Sequence, residues 1–125
     1  MTTDALLRLL IACAMLSACA PAPASSGGSA DCNSRSVNAR AEIAAVIDAH
    51  SACEKDADCQ SIPFQSGCFD ACTRAVNASG VSAVTDAVTQ VNASTCANFE
   101  KDGCAVVIPP CAPPTPPACV EHRCQ

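Results

Sequence analysis

From residue 19 to its C-terminus this chain contains no Leu, Met, Trp or Tyr, because all five Leu and both Met fall within the first sixteen residues. Without long apolar side chains a large self-sufficient core is excluded, and so is the roomy apolar pocket that most enzymes need. The large apolar residues of that stretch are ten Val, four Ile at 43, 47, 62 and 108, and three Phe at 64, 69 and 99. Seventeen in 107 residues lies below the roughly 20% at which a charged chain begins to look disordered. Basic charge is also scarce. Six Lys and Arg face eleven Asp and Glu from residue 19 onward, within a whole-chain net charge of -5, which argues against nucleic acid as a partner. There is no nucleophile elbow and no Gly-rich phosphate loop. With only His50 and His122 as histidines, the chain is read as non-enzymatic, with no cofactor and no catalytic residue. No Cys-x2-Cys occurs, the closest pairs being Cys68-x3-Cys72 and Cys119-x4-Cys124, which argues against a zinc ribbon and a thioredoxin-type motif.

Cysteine is what the chain has in abundance. Eleven of the twelve stand at or after residue 19, a density found in exported disulfide scaffolds. Half of the residues are nominally hydrophobic, yet 25 of them are Ala, which builds helices and tethers but little core.

The N-terminus reads as an address. Arg8 precedes the apolar run Leu9 to Leu16, about the length of a signal-peptide core and short of the ~20 residues that span a membrane. The residues Leu16-Ser17-Ala18-Cys19 that follow resemble the lipobox of bacterial lipoproteins. That resemblance implies a signal peptide over 1–18, with Leu16, Ser17 and Ala18 as the signal-peptidase recognition box. It further implies Cys19 as the site of lipidation, through which the chain partners the membrane. Ala20 lacks the Asp that retains enteric lipoproteins at the inner membrane, so the resemblance favours the outer membrane. Residues 19–31, rich in Ala, Pro, Ser and Gly, have the composition of a flexible tether. Setting Cys19 aside leaves an even number, Cys32, Cys53, Cys59, Cys68, Cys72, Cys96, Cys104, Cys111, Cys119 and Cys124, free to pair completely within a domain over 32–125.

Periodicity predicts an amphipathic helix over Val37 to Cys53, with Ile43, Val46, Ile47 and His50 on one face and Ser34 or Ser36 as N-cap. A second helix is predicted from Ser82 to Ala97, where Val81, Val84, Val88 and Val91 recur, and Gly80 marks the break before it. A short third helix over Cys68 to Val76 would stack Cys68, Cys72 and Val76 and send the two cysteines to different partners. Strands are expected at Cys59 to Phe64, with Pro63 favouring an edge, at Ala105 to Ile108, and at Ala118 to Arg123. Six prolines make 109–117 stiff and extended. The fold class is therefore a small disulfide-rich α+β domain, two or three helices packed on a short antiparallel sheet.

The acidic run Cys53-Glu54-Lys55-Asp56-Ala57-Asp58-Cys59 offers two readings. Asp56 and Asp58 could supply oxygens to Ca²⁺, but the EF-hand Gly and terminal Glu are missing, so a turn braced by Asp side chains is favoured. The pattern also resembles part of a whey-acidic-protein inhibitor domain, yet the adjacent Cys-Cys pair of that family is absent. A packed His50 is preferred over a metal-binding one, and no metal site is assigned. The expected function is a membrane-anchored cell-envelope lipoprotein with a structural or protein-interaction role. The alternative is an exported binding or protease-inhibitor-like module that presents a braced loop, either 109–117 or 60–67, to a protein partner.

Overall fold

The computed structural model describes residues 28–125, with side chains from residue 31. The lipobox residues Leu16, Ser17, Ala18 and Cys19 lie outside the described residues. The described chain is a small disulfide-rich α+β fold with two α-helices, a β-hairpin, a two-residue-per-strand C-terminal hairpin and five disulfides.

Helix α1 spans Gly28–Ala49. It starts earlier than the periodicity of its apolar residues indicates, so Ser34 and Ser36 lie inside it, and Ser36 donates its hydroxyl to the Cys68 carbonyl at 2.6 Å. Its inward face is Ala39, Ile43 and Ile47, each at most 1% exposed and spaced four apart, so that they stack over successive turns. Val46 is half-buried, whereas His50, just past the helix end, is exposed.

Strands β1 (Cys59–Ser66) and β2 (Phe69–Asn77) form an antiparallel hairpin closed by Gly67 and Cys68. This corrects the expectation of a helix over 68–76. A spacing of i, i+4 and i+8 is even, so it fits one face of a strand as well as a helix. Here Phe69, Thr73 and Val76 supply the aromatic and β-branched side chains that favour a pleated surface. The register slips once. Ile62 faces Arg74 and Phe64 faces Ala71, so β2 carries one extra residue opposite Pro63. That bulge sits where proline has no N–H to give, and it turns both Phe69 and Val76 inward although they are seven residues apart. Residues 60–66 are thus paired strand, and the 60–67 segment is not a presenting loop.

Asn77 caps the next turn, accepting from the Ser79 backbone amide at 2.9 Å and from its hydroxyl at 2.7 Å. Helix α2 follows over Val81–Ala93, packed on α1, with Val84 and Val91 buried and Val81 and Val88 half-buried. The four valines therefore form the predicted stripe. Gly80 must be glycine for a reason of space: a β-carbon there would lie 2.4 Å from that of His50. The helix ends at Ala93, four residues before the expected Ala97, and residues 94–103 form a series of turns. Arg35 reaches across from α1 to the carbonyls that this early ending frees, donating to Thr95 O at 3.0 Å and to Ala97 O. Its guanidinium also stands 5.2 Å from the centre of the Phe99 ring. Arg40 over Phe69 and Arg74 over Phe64 repeat the arrangement at 5.3 and 5.4 Å, so a cation covers each phenylalanine of this aromatic-poor core.

Residues 104–118 adopt neither helix nor strand. The strand expected at 105–108 does not form: Val107 and Ile108 are 80% and 77% exposed, and no neighbouring strand pairs with them. The apolar run is long enough for a strand but finds no edge to join. The segment 118–123, expected as one strand, instead folds back on itself. Strands β3 (Cys119–Val120) and β4 (Arg123–Cys124) are joined by Glu121 and His122, both in the left-handed region at φ 50° and 61°. Two residues with positive φ are what a tight antiparallel reversal requires.

Candidate functional site

Two regions bear on function, the bridged end of the molecule and the open C-terminal loop. All ten cysteines of the domain pair: Cys32–Cys104, Cys53–Cys119, Cys59–Cys124, Cys68–Cys96 and Cys72–Cys111. Cys68 and Cys72 do reach different partners, although from a hairpin turn and a bulge, not from consecutive turns of a helix. Cys68 and Cys96 fasten the β1–β2 turn to the end of α2. Cys32 and Cys104 fasten α1 to the start of the loop, and Cys72 and Cys111 fasten the loop's middle to β2.

The acidic turn at 53–59 is held by side-chain carboxylates that accept from backbone amides. Asp58 accepts at Oδ2 from the amides of Glu54 at 2.9 Å and Lys55 at 3.1 Å. The carboxylate thus closes back on preceding amides, where an ordinary Asx turn would bond following ones. Asp56 accepts at Oδ1 from the Cys119 amide at 2.8 Å and so clips the turn to β3. Both acids brace the chain beside the Cys53–Cys119 bridge. His50 contributes its carbonyl, which accepts from Asn77 N at 2.8 Å, and the packing surface over Gly80. The carbonyl of His122 accepts from Cys53 N at 3.1 Å.

The hydrogen bonds from the Glu54 amide, then the Lys55 amide, hold the Asp58 carboxyl below its ordinary value of 3.8. A depressed folded-state pKa gives stability that is present above the unfolded value and lost as pH falls through the folded one. The thermal advantage of the wild type over Asp58→Ala is therefore expected to be full above about pH 5 and to disappear below pH 4, toward pH 2. Paired melting curves across that range check it, and an advantage that persists at pH 2 would contradict it.

The loop 104–118 is the most open part of the fold. It is pinned at Cys104, Cys111 and Cys119, and its first half, Ala105 to Pro110, carries the two most exposed large apolar side chains among the described residues, Val107 and Ile108. Pro109 and Pro110 fix the backbone immediately after them. The stiff second half runs past Thr73 and Arg74 of β2 across a cleft of about 220 Å³. A shallow groove of about 390 Å³ lies elsewhere, between β1 and α2, lined by Ile62, Pro63, Val84 and Val88 with Gln60 and Thr85 beside them. It has no titratable side chain in its lining.

A strand pattern at 105–108 does not mark Val107 and Ile108 as surface features. The available signal was their position between Cys104 and the Pro109-Pro110 pair, which leaves no length for a strand to turn back and pair. Five disulfides point to an oxidising, exported environment, and among the described residues no helix is long and apolar enough to cross a membrane. No family model, no curated protein and no solved structure matches the chain.

Proposed function

We propose that the chain is a cell-envelope lipoprotein, anchored through lipid on Cys19 and probing its surroundings with a disulfide-braced interaction loop. The observation that carries the interaction role is the exposure of Val107 and Ile108 at 80% and 77% on a segment pinned by Cys104 and Cys111. Two aliphatic side chains held out in water favour burial against a partner. A backbone already fixed by bridges and prolines loses little entropy when it docks. Release of a doubly or triply acylated chain from a membrane is negligible, since each buried CH₂ contributes roughly 0.8 kcal/mol. The anchor holds the domain at a membrane surface, and Ala20 after Cys19 favours the outer membrane.

A second reading is favoured by the same segment. An extended, braced stretch with exposed aliphatic side chains is the kind of ligand that a protease cleft binds by adding a strand, with side-chain pockets giving specificity. In that reading the inhibitory segment is 105–110, ahead of the 109–117 stretch that the sequence offers together with 60–67.

Growth with a clickable fatty acid is expected to label the wild-type protein and not Cys19→Ala. Pull-down from envelope extract with the oxidised domain is expected to recover a partner that the double variant Val107→Asp/Ile108→Asp loses. Absence of label in the wild type removes the anchor. Equal recovery by the double variant removes the loop as interaction site. Co-recovery of an active protease, with inhibition relieved in the variant, selects the second reading.

A further inference from the structure

Two of the five bridges lie side by side. Cys53–Cys119 and Cys59–Cys124 connect the same two short segments, the 53–59 turn and the β3–β4 hairpin. The sulfurs of Cys53, Cys59 and Cys124 all lie within 4.8 Å of one another, and the fourth sulfur, that of Cys119, is bonded to Cys53 at 2.03 Å. A tetrahedral zinc thiolate centre with Zn–S bonds of about 2.3 Å sets its sulfurs roughly 3.8 Å apart. To close around an ion, the bonded sulfurs must part, and the sulfur of Cys119, which stands outside the group of three, must swing in toward Cys59 and Cys124 as its bridge opens.

Each segment brings two sulfurs. Cys119-x4-Cys124 has the spacing of a structural zinc knuckle, and Cys53-x5-Cys59 is one residue longer, with its turn already braced by Asp58. The absence of Cys-x2-Cys therefore does not decide the matter, because the fold assembles the set from two distant stretches. Both bridges run between the segments and neither runs within one. An ion held by all four sulfurs would consequently keep the same two segments joined. Glu54, Asp56, Asp58 and Glu121 outnumber Lys55 and Arg123 in these segments, and the resulting negative field favours a dication. The other three bridges join different segments and staple α1, the end of α2 and the β1–β2 hairpin independently of these two.

We propose that Cys53, Cys59, Cys119 and Cys124 form a redox-gated thiolate site for a soft divalent cation of the Zn²⁺ type. In the oxidised protein the sulfurs are committed to S–S bonds and offer no thiolate. Two equivalents of a dithiol reductant open the two bridges. Each equivalent gives two electrons and two protons and becomes a disulfide itself, leaving four protein thiols. One Zn²⁺ then replaces the four thiol protons, which pass to water, and forms four Zn–S bonds. The site keeps the C-terminal hairpin docked in a chain that is not fully oxidised, whether newly exported or met by a dithiol reductase.

The test is stepwise reduction of the oxidised full-length protein by a dithiol, with Zn²⁺ or with EDTA, followed by maleimide alkylation and peptide mapping. With Zn²⁺ the expected species holds one ion by native mass spectrometry, keeps the Cys32–Cys104 and Cys68–Cys96 bridges whether or not the exposed Cys72–Cys111 bridge has opened, and has Cys53, Cys59, Cys119 and Cys124 protected from alkylation. With EDTA the same four cysteines react. Cys53→Ser/Cys119→Ser is expected to lose Zn²⁺ to a competing chromophoric chelator, whereas Cys72→Ser/Cys111→Ser, which removes an exposed bridge outside the cluster, retains it. Zn²⁺ that protects none of the four, or that protects the 32, 68, 72, 96, 104 and 111 sulfurs equally well, would overturn the assignment.

Discussion

Complete reduction of the five bridges is expected to unfold the domain at room temperature, with loss of the helical far-UV circular dichroism and full reactivity of all ten cysteines. The expectation follows from magnitudes. The bridges close sequence separations of 72, 66, 65, 39 and 28 residues. In the chain-entropy account each contributes about 3.5–4.5 kcal/mol, and removing a native bridge from a small exported domain costs about 2–5 kcal/mol. Even with strong non-additivity, the loss of five exceeds the roughly 5–15 kcal/mol by which small domains are stable. The apolar core cannot make up the difference. Its fully buried members are chiefly Ile43, Ile47, Val76 and Val91, joined by Phe64, Phe69 and Phe99, with half-cystines filling the remaining space. A reduced protein that keeps its helical signal and melts cooperatively would show that these side chains suffice alone.

The second large effect is expected at Arg35. Its side chain is only 17% exposed and its guanidinium serves the Thr95 and Ala97 carbonyls, the Phe99 ring and the Asp102 carboxylate, 2.9 Å away. Arg35→Ala leaves carbonyls after α2 without a donor and takes the cation off the ring, a loss of about 2–4 kcal/mol. Arg35→Lys keeps the charge but cannot fork to two carbonyls, so about half of that loss is expected to remain. Asp102 is half-exposed, and Asp102→Ala should therefore cost less than about 1 kcal/mol. Thermal melts of the three variants in that order check the assignment. Similar destabilisation by Arg35→Ala and Asp102→Ala would shift the weight from the carbonyl contacts to the ion pair.

Much of the architecture was legible in the sequence, and what was not has identifiable causes. The valines at 81, 84, 88 and 91 mark α2 because a period of three to four is a helix signature, and Ile43 with Ile47 marks the buried face of α1. The backward extension of α1 to Gly28 carries few large apolar residues, so periodicity had nothing to register there. Cys68, Cys72 and Val76 misled because an even spacing is common to strands and helices, and only the pairing of Phe69–Asn77 with Cys59–Ser66 decides between them. The ten-cysteine set was readable by arithmetic. Its connectivity was not, since 945 pairings are formally open and the choice depends on which segments the fold brings together. At the candidate sites, Asp56 and Asp58 announced a braced turn. Their partners, the Cys119 amide for one and the Glu54 and Lys55 amides for the other, depended on tertiary placement. Val107 and Ile108 were visible as an apolar run. That they stand out in water is a fact about missing neighbours, which no local pattern records.

The proposed mature protein carries lipid on Cys19 and has the ten cysteines that follow all committed to bridges. Intact mass of the mature protein, extracted from the membrane without reductant and measured before and after alkylation, tests both halves together. The predicted result is a chain beginning at Cys19 with the added mass of its acyl groups, no alkyl group incorporated under native conditions, and ten incorporated after reduction in denaturant. A chain that begins elsewhere without lipid, or one that takes up alkyl groups before reduction, would contradict it.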